Sequence, residues 1–406
     1  MKRYWKLMAI ITVVVLTVGT FYIQSSLSAN GYPEILFKKI SGDKNELDPV
    51  VLDGLYRSEC GTNVDERVKV TAEGTTYERE QSFLERISGS FFGNNLQELK
   101  EKHRGFMRGK SGRASSFYET DSTLAYAAVN NQSARAPKSD MEFDVAVMDK
   151  EKDETTSFTV PVPNRAMYVQ AWVEDVQIID GELKVITQNY LRDGGEEKHM
   201  YRVDISNKEI SGEETIAMAG NQGENAYSRV HLLASPDRIG AHSYVIFSTT
   251  KEARKQEPDN AQMKAKKRNQ KFIVYNLKTG EQNFAKAPDS LTDKDVFMYK
   301  QTTLYFRDNQ HVIKYNTETD EIIDKLELPA QDEGDKQKDR QTTVEIVDGK
   351  MYMLQSQVES SLVPGNAPVL TIMDADSGDV LYKGEIVSEK PIDNNASLDI
   401  YGLLIK

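Results

Sequence analysis

Apolar residues fall in short alternating runs broken by polar clusters, and one hairpin-shaped pattern keeps returning. Residues 270–288 (QKFIVYNLKTGEQNFAKAP) show it most clearly. An apolar run at 272–275 predicts a strand, 276–280 carries turn chemistry, and 282–285 leads out as a second strand. Four further segments align on the residue opening the turn: VMDKEKDE at Asp149, RVDISNKE at Asp204, KYNTETDE at Asn316 and IMDADSGD at Asp374. Each has an apolar or aromatic residue, then Asp or Asn, polar residues and a carboxylate. Asp and Asn open such turns because their side chains accept hydrogen bonds from backbone N–H groups ahead of them.

A second hairpin precedes each of these. VQIIDGELKVIT (176–187) and VEIVDGKMYML (344–354) place Asp-Gly between alternating apolar runs, a strong hairpin signal. YVQAWVEDV feeds the first, while 297–306, 231–248 and 123–129 fill the same role with weaker turns. Two hairpins per unit make four strands per unit. The turn-opening residues are 55, 72, 40 and 58 positions apart, a period of blade-type repeats carrying loop insertions.

On these residues the chain resembles the β-propeller repeat proteins. The turns NLKTG (276–280) and DADSG (374–378) are similar to the outer hairpins of WD-repeat-like and quinoprotein-like blades. Ser235-Pro236-Asp237 followed by YVIFS is similar to the TolB-like repeat, with Arg238 where that repeat has Gly. The resemblance spans about 115–405, and no WD dipeptide is present. It implies an all-β propeller. Five units cover 115–387; the C-terminal run 398–405 and the N-terminal runs 50–57 and 67–79 would make a further blade and close the ring, removing exposed edges. The expected fold is therefore six four-stranded blades, with five or seven blades and a paired β-sandwich as alternatives. Residues 81–113 read as a helical insertion in which Asn94 or Asn95 caps a helix with Leu96, Leu99, His103 and Phe106 on one face.

The N-terminus is of a different kind. MKRYWK (1–6) precedes residues 7–23, which contain no charge and no proline. Such a run is at the lower limit for spanning a bilayer. Lys2, Arg3 and Lys6, with Tyr4, Trp5, Phe21 and Tyr22 near its ends, predict a transmembrane signal anchor, N-terminus cytoplasmic. A cleaved signal peptide is the alternative, since SSLSAN (25–30) offers small residues to a peptidase. Either way the remainder is expected outside the cytoplasm, with 24–34 as tether and 35–406 as the folded domain.

Composition narrows the function. The net charge of −12 argues against nucleic acid as a partner. Cys60 is the sole cysteine, which excludes an intramolecular disulfide and a cysteine-based zinc cluster. The five histidines (103, 199, 231, 242, 311) lack metal-type spacing, although His231 and His242 flank one hairpin. Residues 105–111 (GFMRGKS) miss the phosphate-loop spacing by one residue, and 374–379 lacks the glutamate that a calcium loop requires. No cofactor is expected.

What stands out is a set of connections between second and third strands, at 130–141, 190–198, 251–270 and 355–368. Insertions on one face of a repeat protein commonly form its binding side. Residues 251–270 carry seven Lys or Arg against three acids, a net +4 in an acidic chain. Arg135, Lys138, Arg254, Lys255, Lys264, Lys266, Lys267 and Arg268 are the candidate partner-binding residues. The expectation is a membrane-anchored scaffold or sensory module of the bacterial cell envelope. Its partner would be another envelope or membrane protein, with anionic lipid or an acidic envelope polymer as further ligands. The alternative is an envelope hydrolase or lyase with its site at the propeller channel.

Overall fold

A computed structural model describes residues 32–58, 64–80, 95–130, 141–221, 226–233, 239–253, 271–291, 294–308, 310–328, 340–357, 360–362, 367–389 and 396–405. Two compact units are present: Glu98–Ala330, and Met1–Gln97 with Gln331–Lys406.

The Glu98–Ala330 unit contains four antiparallel four-stranded meanders. Sheet 1 is Phe117–Glu119, Thr123–Asn130, Glu142–Asp149 and Glu154–Pro161. Sheet 2 is Tyr168–Ile179, Glu182–Leu191, Glu196–Asp204 and Glu209–Asn221. Sheet 3 is Ala226–Leu232, Tyr244–Ala253, Lys271–Asn276 and Gln282–Lys286. Sheet 4 is Asp295–Lys300, Thr303–Arg307, His311–Asn316 and Glu321–Glu327. Sheets 2 and 3 run on into one another through just two residue pairs, Gly220 with Ser228 and Asn221 with Tyr227.

The other unit holds sheet 5 (Arg340–Val347, Lys350–Gln357, Val369–Asp374, Val380–Ser388) and sheet 6. Sheet 6 joins the chain ends as expected: Ser397–Ile405 pairs with Val50–Ser58, followed by Val64–Thr71 and Gly74–Tyr77. Two additions were not foreseen. Ser360–Ser361 borders Ser397–Ile405, and Ile35–Gly42 lies along the outer edge of sheet 5.

The turn chemistry accounts for this regularity. All five turn-opening residues lie between third and fourth strands, and each side chain accepts from two backbone N–H groups. Asp149 Oδ1 takes those of Glu151 and Lys152, and Asp204 Oδ1 those of Ser206 and Asn207. Asn276, Asn316 and Asp374 repeat the arrangement. The Asp-Gly hairpins adopt positive φ at both residues, 53° and 82° at Asp180-Gly181, 50° and 74° at Asp348-Gly349, which matches strand twist. Alternation then packs sheet on sheet. Phe143, Val145, Val185 and Tyr201 join sheets 1 and 2; Met200, Ile216, Val245 and Ile273 join 2 and 3; Ile246, Phe272, Leu304 and Phe306 join 3 and 4. Leu52, Val68, Leu370 and Ile386 do so for sheets 5 and 6. Each such side chain contributes ~1.5–3 kcal/mol by leaving water.

The helical insertion differs from its expected form. Asn95–Lys102 and Arg104–Met107 are separate helices, broken at His103 (φ −124°, ψ 50°), and Asn95 is inside the first. Leu96, Leu99 and Phe106 are buried as the spacing required, but His103 is half-buried at the break. Downstream, Ser111 N donates to Tyr126 Oη (3.1 Å) and Ser115 Oγ to the Val173 carbonyl (3.0 Å), fixing the segment to sheets 1 and 2. Of the tether expected at 24–34, residues 32–34 are bound to sheet 6. Tyr32 stacks on Tyr77 at 4.7 Å, and Tyr77 Oη donates to the Pro33 carbonyl (2.6 Å). The apolar run 7–23 lies outside the described residues, among which no helix is long and apolar enough to cross a membrane.

Candidate functional site

In a four-stranded meander the second and fourth strands end together, so the second-to-third connection and the exit to the next sheet share one end. Asn130 opposite Glu142, Tyr190 opposite Glu196 and Thr249 opposite Lys271 mark that end in sheets 1, 2 and 3. The eight basic candidates, Arg135, Lys138, Arg254, Lys255, Lys264, Lys266, Lys267 and Arg268, lie outside the described residues. Their flanking strands place the ends of both long connections at the loop-bearing ends of sheets 1 and 3.

Sheet 2 corrects one expectation. Residues 190–198 are not a loop: strands run to Leu191 and resume at Glu196, leaving 192–195 as the turn. Glu196, Glu197 and Lys198 are buried, at 8%, 7% and 2% exposure. Burying charge is expensive unless the group is paired or hydrogen-bonded; all three are hydrogen-bonded, and Lys198 is also ion-paired.

On one face, Glu197 Oε1 accepts from Tyr168 Oη (2.7 Å) and Asn189 Nδ2 (3.1 Å), and stands 3.2 Å from His199 Nδ1. Burial alone would raise the Glu197 carboxyl, but the bonds from His199, Tyr168 and Asn189 outweigh it and bring it down to about 2. Burial, reinforced by the Glu197 bond, pushes the Tyr168 hydroxyl far up, and burial pushes Tyr201 up to about 12. His199 tilts against Tyr201 at 4.4 Å between ring centroids, with Thr215 Oγ1 3.2 Å from its Nδ1. Its Nε2 faces Glu213 Oε2 at 3.5 Å, near enough to pair as ions but not aligned as a hydrogen bond. Glu213 also accepts from Asn164 Nδ2 (3.0 Å), so the entry to sheet 2 is tied to its outermost strand.

On the opposite face, Lys198 Nζ reaches both Glu174 oxygens at 2.7 Å, and Gln188 Nε2 donates to Glu196 Oε2 (3.2 Å). Burial lowers the Lys198 ammonium against the pull of Glu174. Over the turn, Arg192 Nε donates to the Ala166 carbonyl (2.7 Å) and its backbone N–H to that of Met167 (3.0 Å). The loop-bearing end of sheet 2 is thus a closed, charged framework.

His242 is recruited to sheet 2. Its backbone N–H donates to Gln177 Oε1 (3.0 Å), which orients the amide so that Gln177 Nε2 faces His242 Nδ1 (3.2 Å). Nδ1 therefore accepts and the Nε2 proton goes to Asp175 Oδ2 (3.1 Å). Both ring nitrogens are committed, and no lone pair is left to act as a base. His311 differs. Its Nδ1 lies 3.1 Å from Asp308 Oδ1, and its Nε2 has no partner among the described residues. Burial would raise the Asp308 carboxyl, but Lys294 Nζ (2.7 Å) and the N–H groups of Gln310 and His311 hold it well below the usual range. Among the described residues no group of three or more His, Cys, Asp or Glu could hold a metal.

No family model and no curated protein matches the chain. Similar solved structures are β-propeller proteins. The β-propeller domain of the Trilobed protease from Pyrococcus furiosus is 10% identical, over 88% of this chain and 86% of that one, with a TM-score of 0.34. The periplasmic gluconolactonase of Pseudomonas aeruginosa is 11% identical over 86% and 99%, at 0.30. The WD40 domain of SCAP from fission yeast is 10% identical over 69% and 70%, also at 0.30.

Proposed function

We propose that the chain is an extracytoplasmic binding module whose six sheets are the blades of a propeller. Residues 7–23 anchor it in the membrane, and the second-to-third connections engage another envelope or membrane protein. The observation that carries this reading is the charged framework of sheet 2. Buried ion pairs add little net stability over apolar packing, but the hydrogen bonds that Glu197 and Lys198 make to Tyr168, Asn189 and Glu174 hold one geometry. A fixed base is what loop-borne recognition needs, since loops bind well when a rigid scaffold positions them. The framework lies at the sheet end that carries the connections, and the longest connection is strongly basic.

The test is a pull-down from native membranes, comparing the full chain with one in which 254–270 is replaced by a flexible Gly-Ser linker of about eight residues. Residues up to Ala253 are retained because they pair with 226–228 in the sheet. Since Thr249 is the residue opposite Lys271, the linker must run back past four residues, which a two-residue turn could not span. A defined protein captured by the full chain and lost with the replacement supports the reading. An identical set of captured proteins from both chains refutes it. A second reading, an envelope hydrolase, is favoured by His311, where Asp308 orients Nδ1 and leaves Nε2 as a base. Loss of envelope-polymer hydrolysis in H311A would support it, and unchanged hydrolysis would reject that role.

A further inference from the structure

The outer half of sheet 3 carries an arrangement that folding alone does not favour. Gln282–Lys286 is the last strand of its sheet. Lys286 stands directly opposite Lys271, and Phe284 opposite Ile273, so all four side chains share one face. Like charges directly opposite one another are destabilising. Lys286 Nζ has a remote pairing with Asp289 at 3.9 Å, on a carboxylate 92% exposed, and Lys271 has no ion-pair partner among the described residues. Ile273 is buried in the core between sheets 2 and 3, but Phe284 is 75% exposed, the most exposed large apolar side chain among the described residues. An exposed aromatic is therefore presented at a sheet edge beside two lysines, of which Lys286 has one long, exposed ion pair and Lys271 none among the described residues. The connection 251–270, which leads into the neighbouring strand Lys271–Asn276, is itself net positive in a protein of net charge −12.

We propose that this edge of sheet 3 docks on an anionic lipid surface, Phe284 entering the headgroup region and Lys271 and Lys286 meeting lipid phosphates. The chemistry matches on both counts. On peripheral membrane elements phenylalanine buries at the boundary between headgroups and acyl chains, and lysines beside it gain from negative surface potential. An acidic polypeptide would satisfy the lysines but offers no apolar layer for the phenylalanine. This docking is independent of which protein the loop-bearing ends engage, so its failure would leave the binding-module reading standing.

The test uses the full chain carrying Phe284→Trp, incorporated into vesicles of phosphatidylcholine alone or with phosphatidylglycerol. The introduced indole is read against the two native tryptophans, Trp5 and Trp172, by subtracting the signal of the unsubstituted chain. In anionic vesicles the emission of the introduced indole should shift to the blue, lose quenching by aqueous iodide and gain quenching by brominated lipid. Neutralising each lysine (K271Q, K286Q) should reduce the docked-to-free ratio about fivefold, from ~1 kcal/mol per cation near an anionic surface. Increasing salt should act in the same direction. An introduced indole equally open to iodide in both kinds of vesicle overturns the proposal. So does an indole shielded by soluble polyglutamate but not by anionic vesicles, which would make the edge a site for an acidic protein. Circular dichroism matching the unsubstituted chain confirms that each variant is folded.

Discussion

Replacing Glu197 by Gln tests whether the charged framework of sheet 2 holds that end together. Glu197 is 7% exposed and takes hydrogen bonds from Tyr168 and Asn189. Its carboxyl, ordinarily near 4.5, is brought down to about 2 in the fold. A carboxyl with a depressed folded value adds stability that is complete above its unfolded value and is lost as pH falls through the folded one. The interval corresponds to ~3 kcal/mol, and water reaching the network past half-buried Glu213 reduces this to about 2 kcal/mol. Glutamine keeps the shape but brings an NH2 group into a site already filled with donors. Wild type should exceed E197Q by about 2–3 kcal/mol at pH 7. The difference should shrink below pH 4.5 and be mostly gone by pH 2, where half of the folded wild type is protonated at Glu197. Urea titration at a series of pH values, read by fluorescence of Trp172 within the same sheet, measures it. Equal stability at pH 7, or a gap that persists undiminished to pH 2, would refute the reasoning.

Two further substitutions probe other parts of the fold. E174Q strands the buried ammonium of Lys198 and should cost ~3–5 kcal/mol, whereas the double change E174L/K198M should recover most of it; a double variant no more stable than E174Q in urea would contradict this. Gly42 has φ +83°, and a Cβ there would sit 2.0 Å from the Leu381 carbonyl oxygen. G42A should therefore release the added strand of sheet 5, seen as faster hydrogen exchange at 35–42 and 380–388 with the other sheets unchanged. Unaltered protection of that strand would show that the backbone tolerates the contact.

Local signals carried much of the fold. Asp149, Asp204, Asn276, Asn316 and Asp374 were legible because an Asx turn depends on a few neighbouring residues, and Asp180-Gly181 because a two-residue hairpin requires positive φ. The pairing of the chain ends in sheet 6 followed from strands that had no other partner nearby. The framework was not legible. Glu196, Glu197, Lys198 and His199 read as a hydrophilic connection because runs of charge usually mean solvent. A signal was present in the facing run Thr187-Gln188-Asn189, which lies opposite His199, Lys198 and Glu197 in register. Two polar runs within one hairpin of apolar strands mark a buried network or a very long loop, and alternation alone does not distinguish them.

By itself the sequence determined the strand periodicity, the turns, the four-strand unit and the acidic character, since each depends on contacts within a hairpin or on composition. It also set out the basic run 251–270 and the apolar run 7–23, whose roles rest on charge and hydropathy. The tertiary structure decided which side chains from distant strands meet. His242 finds Asp175 and Gln177 across 65 or more positions, Glu213 finds Asn164, and Ile35–Gly42 joins a sheet more than 300 residues away. Whether a charge is buried or exposed depends on such meetings. The cost of taking an ion from water is met by partners that no local window contains.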